Sequence, residues 1–193
     1  MLVLHLASGP VRGAAWAADL RCAWQGRRRI ERLPAITVAA TANYYKPWTA
    51  PSPDYRVRIG NAEGVQVGTG CYALSPLQDR VYVFKIEIAP EHRRRGYGTA
   101  FLWHLAQRYR QPITAVDERY SSREFWRAAR RLGNAGLPMT TDLSSGEMDA
   151  EASRWQHLEP QAERLQRLIS ERLNTHHEPW HIAVGRGLES GGD

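Results

Sequence analysis

Lysine is almost missing from this chain: of its 26 basic residues only Lys46 and Lys85 are lysines, which leaves 26 − 2 = 24 arginines. Biased coding alone produces such a skew, so a net charge of +6 and a pI near 9.7 are weak arguments for a nucleic-acid partner. Cysteine is as scarce. Cys22 and Cys71 make neither a disulfide framework nor a metal cluster, and with no export signal in view they read as reduced thiols of a cytoplasmic protein. No apolar run approaches the length of a membrane span. The opening Met1-Leu2-Val3-Leu4-His5-Leu6-Ala7 is too short for a secretion signal and lacks its basic lead, so a buried first strand is expected there. Internal repeats and low-complexity tracts are also absent. What remains, 193 residues that are 42% hydrophobic and 24% charged, is ordinary for a globular domain able to bury a substantial core.

What the chain does contain is a strand, a glycine loop and a helix start in immediate succession. Val81 to Ile88 is an apolar run that reads as a buried strand; a short basic loop follows with Arg93, Arg94 and Arg95; and Thr99 to Tyr109 has helical spacing. Where a glycine loop opens a helix, unpaired backbone N–H groups and the positive end of the helix dipole point at one spot, which suits a phosphate. Gly96 and Gly98 have no Cβ, so the main chain can turn tightly there and touch a ligand. A dinucleotide-binding unit shares these parts, and Asp117 stands at about its expected distance after the glycines. Against it, Ala89 to Arg95 separate the strand from the first glycine, and Phe101 stands where a third glycine belongs.

The spacing Arg93-x-x-Gly96-x-Gly98, after a strand ending Ile86-x-Ile88-x-Pro90, resembles the signature of the GNAT superfamily of acyl-CoA N-acyltransferases. The resemblance implies that Arg93, Arg94, Arg95, Gly96, Tyr97 and Gly98 wrap the pyrophosphate of coenzyme A, with Thr99 starting the helix. It implies too that the backbone of Ile86 and Ile88 holds the pantetheine arm. It covers roughly residues 55 to 133. Within them Tyr55 to Gly60 and Val65 to Ala73 read as a hairpin about the turn Asn61-Ala62-Glu63-Gly64. Pro112 to Asp117 reads as a short strand, and Ser121 to Leu132 as a second helix capped by Ser121 or Ser122. The implied fold is α/β (α+β), a mixed, mostly antiparallel central sheet flanked by helices, with an additional C-terminal helix.

The chain 1–193 is expected to be one acyltransferase domain, with an acceptor-side region over 1–53, a coenzyme-binding core over 54–143 and a helical extension and tail over 144–193. Pro10 to Arg32 has helical composition and a basic end at Arg27-Arg28-Arg29, which suits a helix C-terminus. The resemblance implies that this segment and the loop behind it wall the acceptor pocket, with Asn43-Tyr44-Tyr45-Lys46-Pro47-Trp48-Thr49 choosing the substrate. Ala50-Pro51-Ser52-Pro53 reads as a stiff connector. After the second helix the chain departs from the family pattern of a strand hairpin. Met139 to Leu143 and Trp180 to Val184 are the candidate late strands, but Glu151 to Leu173 is strongly helical with a break or start around Pro160. Its stripe of Leu158, Leu165, Leu168 and Ile169 either packs on its own domain or serves as a lid or homodimer contact. Leu188 to Asp193 reads as a frayed tail. His176, His177 and His181 stand too close in sequence to converge on one ion, so no metal is expected.

The activity implied by the resemblance is attack of an acceptor's primary amine on the thioester of acetyl-CoA, the acceptor being a small molecule or a protein. The alternatives are toxin-like acetylation of aminoacyl-tRNA and a non-catalytic coenzyme A-binding regulatory module. Arg27 to Arg29 and Arg127 with Arg130-Arg131 could steer tRNA, and Tyr44, Tyr45, Trp48 and Tyr55 could stack on bases, although solvated helix faces and core packing account for both. The reaction needs a general base. Asp117 matches the place where some ribosomal-protein acetyltransferases of the family carry a catalytic glutamate, and Glu87 lies between the two pantetheine positions on the opposite side of an ideal strand. Asp117 also reads as a helix-capping or loop-fixing carboxylate, and Glu87 as an exposed ion pair. The family's helix tyrosine, a proton donor to the thiolate, has no counterpart: one register puts Ala129 there, another Trp126. Tyr120 at the head of that helix is the candidate acid, Tyr97 in the loop is a second, and a thiolate beside the helix dipole and N–H groups can also leave with no acid at all.

Overall fold

Five short runs of alternating or continuous apolar residues make one sheet in the computed structural model, which describes residues 23–188. They are β1 (Thr37–Asn43), β2 (Asp54–Gly60), β3 (Gln66–Leu74), β4 (Val81–Ile88) and β5 (Ile113–Ala115), paired in that order. The first four are antiparallel, and β5 runs parallel to β4. The β2–β3 turn forms as its residues dictate. Asn61 Oδ1 accepts from the N–H groups of Glu63 (3.1 Å) and Val65 (2.8 Å), and Gly64 takes φ 79°. The expected first strand and most of the expected first helix lie outside the described residues; residues 23–31 are helical (α1).

One face of the sheet carries Val57, Ile59, Tyr72, Val81 and Val83. Against it close α2 (Tyr97–Tyr109) and α3 (Arg123–Arg130), through Phe101, Leu102, Leu105, Trp126 and Ala129. The opposite face is apolar only towards β4 and β5, where Tyr82, Phe84 and Val116 pack with Met148 of α4 (Ser145–Ala152) and with Trp155 in the 3-10 turn after it. Elsewhere that face is more polar, with Arg56, Arg58, Lys85 and Glu87 exposed. None of the described helices is long and apolar enough to cross a membrane.

Tyr82 is wholly buried, and its hydroxyl donates to Glu151 (2.8 Å), which also meets Arg80 (3.2 Å) and Arg154. Burial pushes the Glu151 carboxyl up, but the bonds from Tyr82 and Arg154 and the charge of Arg80 outweigh it and hold it below its usual range. A depressed carboxyl contributes stability above its unfolded pKa, and that stability is lost as pH falls through the folded value. Glu151→Gln is therefore expected to cost about 1–2 kcal/mol near neutral pH. In thermal unfolding the difference from the native protein should narrow as pH falls below the ordinary glutamate range, about 4.3, and close below the folded value.

One strand was not expected and two expected ones differ. β1 is a strand where the sequence suggested only the wall of a pocket; its small residues pair with β2 over seven positions from Thr37↔Gly60 to Asn43↔Asp54. Met139 to Leu143 contributes two isolated parallel bridges, to Ile113 and Val116, rather than a strand. Trp180–Ala183, expected as part of a late strand, is a short helix, α6. Pro179 starts it: the N–H groups of Ile182 (2.9 Å) and Ala183 (3.1 Å) turn back to its carbonyl and that of Val184 to Trp180 (3.0 Å), a helical and not a sheet pattern. The break near Pro160 is present as the first turn of α5 (Glu159–Asn174), where a missing N–H leaves no bond unmade.

Candidate functional site

The register of β4 against β3 slips by one residue at its middle. Tyr72 pairs with Val83 and Cys71 with Lys85, so Phe84 is the extra residue of a β-bulge. Before the bulge Val81 N–H donates to Pro112 O (2.9 Å) and Val83 O accepts from Val116 N–H (3.0 Å), so odd-numbered residues bond towards β5. Beyond it Ala89 N–H donates to Val67 O (3.0 Å) on the β3 side, so odd-numbered residues bond the other way. The backbones of Ile86 and Ile88 are thereby turned towards β5, which is no longer there. β5 pairing ends at Val83↔Ala115, and the chain then leaves towards Leu143, whose carbonyl accepts from Asp117 N–H (2.8 Å). A wedge opens between the strands. Along it the Ile88 carbonyl accepts from Arg93 Nε (2.9 Å).

From the wedge the chain runs through a 3-10 turn (Pro90–His92) and the three exposed arginines into α2. The helix begins at Tyr97, two residues earlier than its periodicity suggested. Gly96 is its N-cap at φ 90°, and the capping position offers no side chain to the first-turn donors. Ala100 N–H closes the first turn on Gly96 O (2.8 Å), so the N–H groups of Tyr97, Gly98 and Thr99 have no acceptor among the described residues. Tyr97 stands edge-on to His92 (6.0 Å). The two glycines have different reasons. Gly96 needs its positive φ, whereas Gly98 lies inside the helix, and a Cβ there would come within 3.0 Å of the Phe125 ring. Gly98 thus lets α3 seat against α2.

The residues singled out for acid–base work are spread around this wedge. Asp117, at φ 53°, gives both carboxylate oxygens to Ser145: Oδ1 accepts from its N–H (2.8 Å) and Oδ2 from its hydroxyl, which ties the end of β5 to the start of α4. Glu87 is exposed and bonded to Lys85 (2.8 Å), which holds its carboxyl below the usual range. Tyr120 is 85% exposed, with the Arg123 guanidinium over its ring. Trp126 and Ala129, at the two positions compared with a helix tyrosine, are buried in the core.

Sequence reasoning passed over Asp54, the first residue of β2. Its Oδ1 is buried with no hydrogen-bond partner among the described residues. Burial pushes its carboxyl up to about 6 against the pull of Arg56. The signal was an aspartate opening an otherwise apolar–arginine alternation, a residue type that strands disfavour. Near it the β1–β2 connection covers the sheet face opposite α2 and sets Trp48 against Phe84, ring centroids 6.1 Å apart, at the bulge itself. Tyr45 of the same connection packs edge-on to Trp180 (4.8 Å).

Among solved structures the chain is similar to nourseothricin acetyltransferase, at 22% identity over 52% of this chain and 64% of that one, with a TM-score of 0.26. It therefore spans less than two thirds of that protein's length. No curated protein matches. Residues 17–131, more than half of the sequence, match the acetyltransferase (GNAT) family, and the chain belongs to that family.

Proposed function

We propose that the protein transfers an acetyl group from acetyl-CoA to a primary amine of a small-molecule or protein acceptor. The observation that carries this reading is the row of main-chain N–H groups without partners among the described residues, first along β4 beyond Phe84 and then at the start of α2. An extended arm bearing amides can lie in the wedge as a missing strand would, bonding the backbone of Ile86 and Ile88. A diphosphate fits the first turn of α2, where three N–H groups and the helix dipole favour an anion and Arg93, Arg94 and Arg95 add charge. Nothing at the helix position of the family tyrosine can protonate a thiolate, so the leaving sulfur would rely on N–H groups and on the proton released by the amine.

A specific feature favours a second reading, in which the acceptor is aminoacyl-tRNA. An open cleft of about 590 Å³ on α3 is lined by Arg123, Arg127, Arg130 and Arg131 against only Glu118 and Asp142. Calorimetry with coenzyme A, and thiol release from acetyl-CoA with spermidine, lysine peptides and charged tRNA, test both. Coenzyme binding with turnover of a simple amine is expected. Turnover of tRNA alone, falling steeply with salt, would favour the second reading. Binding without thiol release on any acceptor would favour a regulatory module, and no binding at about millimolar coenzyme, weaker than ~4 kcal/mol, would overturn all three.

A further inference from the structure

We infer that α3 carries a docking surface for a single-stranded nucleic acid, whose phosphates lie in the arginine cleft and one of whose bases stacks on Tyr120. The inference rests on neither reading of the acceptor: it concerns what the chain holds, and it stands or falls apart from what the chain acetylates.

Coding bias sets how many arginines a chain has, not where the fold gathers them. Arg123, Arg127 and Arg131 recur every fourth residue, so they succeed one another at about 6 Å along one side of α3, with Arg130 beside them. Trp126 and Ala129 turn into the core, while the arginines line the cleft. The two carboxylates of the cleft do not cancel them. Glu118 and Asp142 both close on Arg130, whose Nε also meets the Thr140 carbonyl (3.5 Å), which makes that residue a fixed floor. Arg127 reaches out to Glu124 (2.9 Å), an exposed pair that a phosphate can displace at little cost. Arg123 and Arg131 form no ion pair among the described residues. Three cations are thus left for an anion, along an open cleft of about 590 Å³ that suits an extended chain better than a small ion.

What separates a nucleic acid from other polyanions is the aromatic ring at the rim. Tyr120 is the most exposed of the large apolar side chains described, and the Arg123 guanidinium lies over its ring at 5.1 Å, which leaves the other face to solvent. A ring held out in water beside a guanidinium stacks on any base, whereas polyglutamate or polyphosphate has nothing to lay on it. A second pair of the same kind stands past the other end of α3. Gly26 of α1 lies against Ala135, where a Cβ would come within 2.7 Å of the alanine Cβ, and on the same helix Arg28 lies over the exposed Trp24 ring (3.8 Å). A strand that follows the arginines from Tyr120 to Arg131 is therefore led towards α1, with its exposed Arg27, Arg28 and Trp24.

Fluorescence anisotropy of a labelled oligouridylate of about 12 nucleotides, and of its deoxyribose counterpart, reads binding by the whole chain. Micromolar affinity is expected at ~50 mM salt, and the logarithm of the association constant should fall against the logarithm of salt with a slope of about 0.7 for each phosphate held. Arg127→Gln combined with Arg131→Gln should weaken binding and reduce that slope by about 1.4. Its melting temperature should stay native, because both side chains are exposed. Tyr120→Ala should weaken the oligonucleotide about 10-fold at an unchanged slope and leave polyphosphate binding as it was, and Tyr120→Phe should keep the native affinity, because stacking needs the ring and not the hydroxyl. A preference between the two sugars says which nucleic acid is the partner, and the surface stands in either case. No binding at ~50 mM salt, a slope that the arginine variant leaves unchanged, polyglutamate bound as tightly as the oligonucleotide, or native affinity in Tyr120→Ala would each overturn the inference. None of these results touches acetyl transfer, which coenzyme A calorimetry and thiol release test separately.

Discussion

Gly96→Asp should weaken coenzyme A binding by at least about 100-fold, or ~2.7 kcal/mol, the largest change in affinity expected from one substitution here. The new carboxylate would sit at the N-cap of α2, beside the unpaired N–H groups of the first turn, and would accept the bonds proposed for a diphosphate. Each hydrogen bond to a charged acceptor is worth about 1.5–3 kcal/mol, so losing two is enough, and repulsion between anions adds to the loss. Backbone strain comes with it. Gly96 stands at φ 90°, and a Cβ would lie 3.1 Å from Pro34 Cδ. Gly96→Ala has the same strain without the charge, at about 1–2 kcal/mol of stability. The alanine variant should therefore melt lower yet keep affinity within about 10-fold, while the aspartate variant loses binding by calorimetry. Equal losses in both would mean that α2 is seated wrongly rather than that an anion is excluded. Native-like affinity in Gly96→Asp would move the coenzyme elsewhere.

The strand–loop–helix unit was legible because short-range chemistry determines it. Asn61 and Gly64 make a turn wherever they stand together, the Val81 to Ile88 run admits little but a buried strand, and Gly96 stops a helix from extending backwards. The bulge was not legible. A continuous apolar run reads the same with or without an extra residue, and only the β3 partner reveals that Phe84 shifts the parity of everything after it. That shift decides which backbone faces the wedge. β1 was missed because Val38-Ala39-Ala40-Thr41-Ala42 carries little hydrophobic signal, and its strand character comes from lying against β2. Trp180 to Val184 has strand-like composition, but the proline before it and its packing under Leu165 and Ile169 select a helix. The acid–base residues were the hardest. Position in sequence brought Asp117 and Glu87 forward, while the bond from Ser145 and the lone oxygen of Asp54 exist only in three dimensions.

Phe101→Ala should cost about 3–5 kcal/mol, a large share of the ~5–15 kcal/mol that holds a domain together. Phe101 is fully buried, with the Tyr72 ring edge-on to it at 6.3 Å. Its ring lies over Gly70 of β3, where a Cβ would be 3.1 Å from Phe101 Cε1, 2.9 Å from Val57 Cγ2 and 3.2 Å from the carbonyl of Lys85. Gly70 and Phe101 thus share one space: the strand gives up its side chain so that the ring can lie on it, one turn into the helix that begins at Tyr97. Gly70→Ala alone should cost about 1–3 kcal/mol by overpacking. In the Phe101→Ala background most of that cost should vanish, because a methyl group then enters a vacated volume, although Val57 and the Lys85 carbonyl keep some of it. A double-mutant cycle by urea unfolding should give a coupling of about 1 kcal/mol or more in the rescuing direction. Strict additivity would show that the ring and the glycine do not compete for the same volume. The same cycle followed with coenzyme A connects packing to the site, for a helix loosened at Phe101 presents its first-turn N–H groups less rigidly. Affinity should therefore fall in Phe101→Ala and partly return in the double variant, while the stability coupling holds whichever ligand α2 receives.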